Sequence, residues 1–252
     1  MPKPRKAPPA AGVPPPVGRE DTATPAPPAT LHVTPWPLPA KQVLHRVHQD
    51  LYKADQFNPG LKGNARFSPI RDVEGDSIPT LYAAATFDAA AMESVFHDVS
   101  HVPGFKHYDK RKLEGQVHSE VKAKRELKLA DLSSVPLRKL GVQRKQLIDT
   151  EKNQYAATRR WAEAIHAQHP DIQGLSWISR QDDSARAVML FGDRIPKGAL
   201  QQVGAVHAAS QGRRVRLENP QRSLALSQFP PRTGGSCDSQ LTIVSVRRKV
   251  ST

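Results

Sequence analysis

An α+β fold follows from three observations on this sequence. Short alternating or apolar runs that read as strands are interspersed with amphipathic helical stretches. They do not recur with the regular strand–helix–strand rhythm of a doubly wound sheet. At 252 residues the chain is long enough for one large domain or two small ones.

Thirteen of its 23 prolines fall before residue 41. Met1–Ala40 lacks hydrophobic periodicity, so residues 1–40 are expected to form a disordered, polyproline-like arm. No apolar core follows Lys3, Arg5 and Lys6, which argues against a signal peptide, and no run is long enough for a membrane span. Cys237 is the single cysteine, which excludes an internal disulfide and a cysteine-based zinc site; a reducing cytoplasm is the default location.

Gln42–His48 alternates as a strand, with Val43, Leu44 and Val47 as apolar positions and Arg46 within it. Asp50–Ile70 is a loop with turns at Asn58-Pro59-Gly60 and Gly63-Asn64, closing on Arg66-Phe67. Leu81–Ala84 is a strand carrying Tyr82. A helix follows, capped by Thr86 or Asp88, with Met92, Val95, Phe96 and Val99 as its stripe. Glu93 borders that stripe, a half-buried carboxylate with room to meet a ligand. On spacing alone, an exposed rim glutamate is the better fit.

His101–Lys112 is a basic connection, Val117–Leu132 is strand material, and Leu137–Leu140 is a short apolar piece. Asp149–Gln168 is a helix with Ala157, Trp161, Ala164 and Ile165 on one side, stopped by Pro170. Gly174–Ser179 and Ala187–Phe191 are strands, Val203–Leu217 is of open type, and residues 218–252 form a mostly flexible basic tail that can dock a strand through Leu241–Val246. The ordered domain is therefore placed at residues 41–217.

The formal charge of +13 and pI of about 10.1 attract polyanions. The basic clusters are dispersed, and they lack a helix-turn-helix pattern, zinc spacing or paired RNA-stacking aromatics. A non-catalytic nucleic-acid binder is one reading; non-specific contact by solvated basic faces is the other. Among the ten histidines, His97 and His101 stand four apart, but the intervening run HDVSH lacks the glutamate of the HExxH zinc motif, so no metal site is expected. Neither a GxxxxGK[ST] loop nor a GxGxxG loop is present.

The order of the pieces resembles the RES domain family. The opening strand carries Arg46 in His45-Arg46-Val47. Phe57-Asn58-Pro59 and Gly63-Asn64-Ala65-Arg66-Phe67-Ser68-Pro69 follow. Next come Tyr82 and Glu93 in LYAAATFDAAAMES, then Gly174, Trp177 and Ser179 with Arg180. The resemblance spans roughly Leu44–Phe191. It implies an ADP-ribosyltransferase-like fold of mixed sheets with flanking helices, in a bacterial toxin that consumes NAD as substrate and is held in check by a cognate antitoxin.

The implied reaction breaks the nicotinamide–ribose bond by hydrolysis or phosphorolysis, with inorganic phosphate a possible partner; transfer of ADP-ribose to a protein is the alternative. Nicotinamide leaves as a neutral group, so the main demand is a fixed carboxylate beside an oxocarbenium-like ribose, the role implied for Glu93. Arg46 and Arg66 are implied to hold the diphosphate, Tyr82 to stack on nicotinamide, and Ser179 to bond its amide or a ribose hydroxyl. Taken alone, Arg46 in a strand is equally a surface ion-pairing residue, Arg66 after its glycine turn a structural one, and Tyr82 an ordinary half-buried residue.

Overall fold

The computed structural model describes residues 22–60, 62–96, 105–180, 182–209 and 240–244. Eight strands form the main sheet. In chain order they are β1 (Pro35–Leu38), β2 (Val43–Gln49), β5 (Thr80–Ala84), β7 (Gln116–Ala123), β8 (Leu127–Asp131), β9 (Gly174–Ile178), β10 (Arg186–Phe191) and β11 (Leu200–Ala208). Their spatial order is β1-β8-β9-β10-β5-β2-β7-β11, antiparallel except for β8 and β9. Two ribbons stand apart: β3 (Ile70–Arg71) with β4 (Ser77–Ile78), and β6 (Phe105–Asp109) with β12 (Gln240–Val244). The helices are α1 (Phe87–Ser94), α2 (Ser134–Lys139), α3 (Arg144–Leu147) and α4 (Tyr155–Gln168). This is a mixed fold of strands and few helices, as the interspersed pattern predicts.

The central strands are buried on both faces, which is why AVMLF is continuously apolar instead of alternating with polar residues. Ala187, Met189 and Phe191 enter the core shared with α2–α4, while Val188 and Leu190 enter a second core on the opposite face. The same period of two sends Leu81 and Ala83 to the second core, and Tyr82 and Ala84 to the first. At Gly174 a Cβ would come within 2.3 Å of the Met189 carbonyl oxygen, so glycine is what lets β9 lie against β10 at its first residue.

Several expectations change. The arm is not disordered to residue 40. Leu31 and Leu38 are buried, β1 pairs with β8, and the Arg186 guanidinium lies 4.6 Å from the centre of the Trp36 ring. Prolines 35 and 37 are tolerated because β1 is an edge strand, where a missing N–H breaks no second ladder. Val117–Leu132 divides into β7 and β8, and Leu137–Leu140 belongs mainly to α2. The helix carrying Glu93 buries Ala89, Ala90 and Ala91, with Met92 and Val95 only partly covered, because small side chains let a helix approach a sheet closely. The last helix starts at Tyr155; Trp161 and Ile165 are buried as expected and Ala157 and Ala164 are half-buried, while Thr158 and Ala162 widen the buried face. The open stretch after Val203 joins β11 through residue 208, and the late apolar run forms β12 against β6. His97, Val99, His101, Cys237 and residues 1–21 lie outside the described residues.

Candidate active site

β2 and β5 are joined through one register pair, His45 opposite Ala84. Beyond it they part, and a cavity of about 710 Å³ opens between them under the Asp50–Ile70 loop. Arg46, His48 and Gln49 line it from β2, Thr80 and Tyr82 from β5, and Tyr52, Asn64 and Ser68 from the loop. That volume falls within the ~300–1,000 Å³ typical of small-molecule sites.

Beside this cavity three expected residues converge. Thr86 caps α1 by accepting from the Ala89 N–H at 3.1 Å, and the helix carries Glu93 inward until its side chain is only 11% exposed. Ser179, fully buried after β9, donates its hydroxyl to Glu93 Oε1 at 2.7 Å. The Arg180 N–H reaches the same oxygen at 3.3 Å, and Arg66 Nη1 approaches Oε2 at 3.3 Å. Both carboxylate oxygens are thus held. Arg66 is itself anchored: its carbonyl accepts from the Thr158 hydroxyl of α4, and its guanidinium lies 6.0 Å from the centre of the Tyr155 ring. Its Nε is buried and has no hydrogen-bond partner among the described residues.

Tyr82 connects this triad with the cavity it lines. Its hydroxyl accepts from the Phe67 N–H at 3.1 Å, and its ring meets Trp177 edge-on at 6.2 Å. Burial pushes that hydroxyl up to about 12, offset in part by the Ser68 and Phe67 hydrogen bonds and by Arg66. Glu93 and Arg66 are near enough to act on it electrostatically.

Arg46 is on the other wall. Its Nη1 donates to the carbonyls of Gln56 at 2.7 Å, Ala54 at 2.8 Å and Lys53 at 3.3 Å, and none of its hydrogen bonds joins it to Glu93. Burial lowers its pKa to about 10, with Asp55 opposing, so the cation persists at neutral pH. The exposed ion-pairing role that a strand arginine suggests is replaced by that of a buried brace for the loop.

Two arginines complete the site. Arg144, at the start of α3, donates to the Ser179 carbonyl at 3.2 Å and to Asp149 at 3.1 Å. Arg180 donates to the Thr150 carbonyl at 2.8 Å. Arg180 is visible in sequence as the neighbour of Ser179. Arg144 carries no such signal, because it reaches the site only through the packing of α3 against the end of β9.

A search of curated proteins finds no match to the chain. The family model for the RES domain matches residues 43–216, more than two thirds of the chain, and includes Arg46, Arg66, Tyr82, Glu93 and Ser179. Sequence order and family match agree on the same stretch, and the chain belongs to the RES domain family.

Proposed function

We propose that this chain cleaves the bond between nicotinamide and ribose in NAD, with Glu93 as the catalytic carboxylate. Membership of the RES domain family ties the chain to NAD-related enzymatic chemistry in a coarse way. The observation that carries the finer reading is the fixing of Glu93: a carboxylate held on both oxygens by Ser179, Arg180 and Arg66, beside a cavity of small-molecule size.

In this reading the C–N bond breaks with its electron pair leaving on nicotinamide, which departs neutral. Positive charge grows on the ribose, and an anion already oriented needs no reorganisation to stabilise it. Glu93 also accepts from a ribose hydroxyl as that hydroxyl becomes more acidic. Water or inorganic phosphate then attacks the ribose carbon, and the proton released by the nucleophile passes to solvent. Ser179 is a positioning residue, since its hydroxyl already points at Glu93 and the residue is fully buried. Arg46 supplies the cation for the diphosphate, and Tyr82 supplies the ring wall.

The eight-stranded sheet with helices against it is compatible with an ADP-ribosyltransferase-like fold. The chain would act in the cytoplasm as a toxin that depletes NAD and would be restrained by an antitoxin covering the cavity mouth. The test mixes purified protein with NAD and follows free nicotinamide by chromatography, with and without phosphate, beside Glu93→Gln. Release lost in the variant is expected, and its phosphate dependence separates phosphorolysis from hydrolysis. If there is no release, but labelled ADP-ribose is transferred to protein in a lysate, the transferase replaces this reading. If there is neither, the enzyme reading fails.

A further inference from the structure

Outside the Glu93 site, three ligand-type side chains meet on the neighbouring strands β2 and β7. β2 and β7 are in antiparallel register with His45 opposite Glu120 and Val47 opposite His118. Residues in register point to the same side of a sheet, so His45, His118 and Glu120 share one face. His45 Nδ1 lies 3.0 Å from His118 Nε2 and 3.7 Å from a Glu120 carboxylate oxygen, and the three ligand atoms lie within 4.8 Å of one another. Two ligand atoms bound to one tetrahedral zinc at ~2.0–2.1 Å stand ~3.3 Å apart, between the two observed separations. The third separation, between His118 and Glu120, is no more than 4.8 Å, so side-chain rotation closes the set around one ion.

We infer that His45, His118 and Glu120 form a zinc-binding site, with water or His207 available for a fourth position. His207 is opposite His118 in the β7–β11 register and is exposed. A two-imidazole, one-carboxylate set suits zinc better than calcium or magnesium, which prefer all-oxygen shells. The edge of the Phe87 ring packs on His118 with centroids 4.7 Å apart, so the site adjoins the first turn of α1. Glu93, further along that helix, is engaged by other partners, so the ion would tie β2 to β7 without entering the reaction.

A linear motif search misses this site because its ligands come from two strands more than seventy residues apart in sequence. The bland alternative is a hydrogen-bonded pair of histidines beside a half-exposed glutamate. The experiment separates the two. The full chain, stripped with chelator and free of any tag, is titrated with zinc chloride against a chromophoric competitor, and thermal unfolding is followed with and without zinc. About one zinc per chain is expected, with affinity falling at least about tenfold in His118→Gln and in Glu120→Gln, and unchanged in His32→Gln. Zinc should raise the melting temperature of the wild type and not of His118→Gln. Metal-free melting temperatures of the variants that match the metal-free wild type assign the loss to the ligands and not to misfolding. Zinc binding unchanged in both ligand variants, lost equally in His32→Gln, or absent from the wild type would overturn the site.

Discussion

Arg46 and Arg66 come from the same sequence argument and end in opposite electrostatic states. Arg66 faces a carboxylate, so its charge is matched by Glu93 within the fold. Arg46 is held by three carbonyl oxygens; among the described residues no carboxylate forms an ion pair with it, and Asp55 acts on it only at longer range. Carbonyl dipoles solvate a cation without cancelling it, so Arg46 keeps positive charge at the cavity it lines, while Glu93, held by Arg66 beside that cavity, is a positioned carboxylate behind Tyr82. A cleft built this way suits a substrate with a diphosphate at one end and a ribose that turns positive at the other.

The largest expected effect breaks the anionic wall. Glu93→Gln keeps the shape and an oxygen that can accept from Ser179, yet removes the charge. Nicotinamide release is expected to fall about 10²–10³-fold, and the melting temperature is expected to fall as well, because the amide nitrogen faces Arg66 where a carboxylate oxygen accepted from it. Next comes the cationic wall. Arg46→Ala strands three carbonyls without their donor and leaves a hole beside Ala54, so stability is expected to fall by about 2–4 kcal/mol in a denaturant titration. Arg46→Lys restores the charge without the fork. Recovery of NAD binding in that variant without recovery of stability would show that charge and bracing are separable. Loss of both would make Arg46 a brace alone.

Ser179→Ala tests the anionic wall more gently. It removes one 2.7 Å hydrogen bond from a carboxylate that keeps Arg66 and the Arg180 N–H. A fall of about tenfold in kcat with KM little changed is expected, the equivalent of about 1.4 kcal/mol in the transition state. A larger rise in KM than fall in kcat would instead mean that Ser179 turns toward the substrate.

How much of this was legible follows from what each residue does locally. Tyr82, Glu93 and Ser179 belong to short strands and a helix whose periodicity and caps are local properties, so their elements can be read from neighbours in sequence. Thr86 capping α1 and Gly174 opening β9 are cases of this kind. Arg46 was legible as a residue but not as a brace, because its partners depend on how the Asp50–Ile70 loop folds back over β2. Arg144 and the His45–His118–Glu120 cluster were illegible, since only the tertiary register brings them together. The packed prolines of β1 were misread for the same reason: composition says that such a segment cannot fold alone, and β8 provides what it lacks.

The smallest expected effect concerns the hydroxyl that joins the two walls. Tyr82→Phe keeps the ring against Trp177 and removes the acceptor for the Phe67 N–H, which should cost about 1 kcal/mol at neutral pH. Its pH dependence is the sharper signature. The folded state holds the Tyr82 proton up to about 12, above the ordinary value of 10.0, so this stabilisation is complete below pH 10 and is lost as the pH rises toward 12. Arg46 acts in the opposite sense over a neighbouring window. Its cation is disfavoured by burial, so raising the pH from about 10 toward 12.5 favours the folded state at that residue. Wild-type unfolding alone therefore mixes two opposed slopes. The difference between wild type and Tyr82→Phe cancels the arginine contribution and should fall steadily from pH 10 to 12 in denaturant titrations, changing sign on the way, because a rise from 10.0 to about 12 outweighs the ~1 kcal/mol hydrogen bond. A difference that stays flat across that range would mean that the Tyr82 hydroxyl reaches water in solution, and the wall it forms would then be open to solvent.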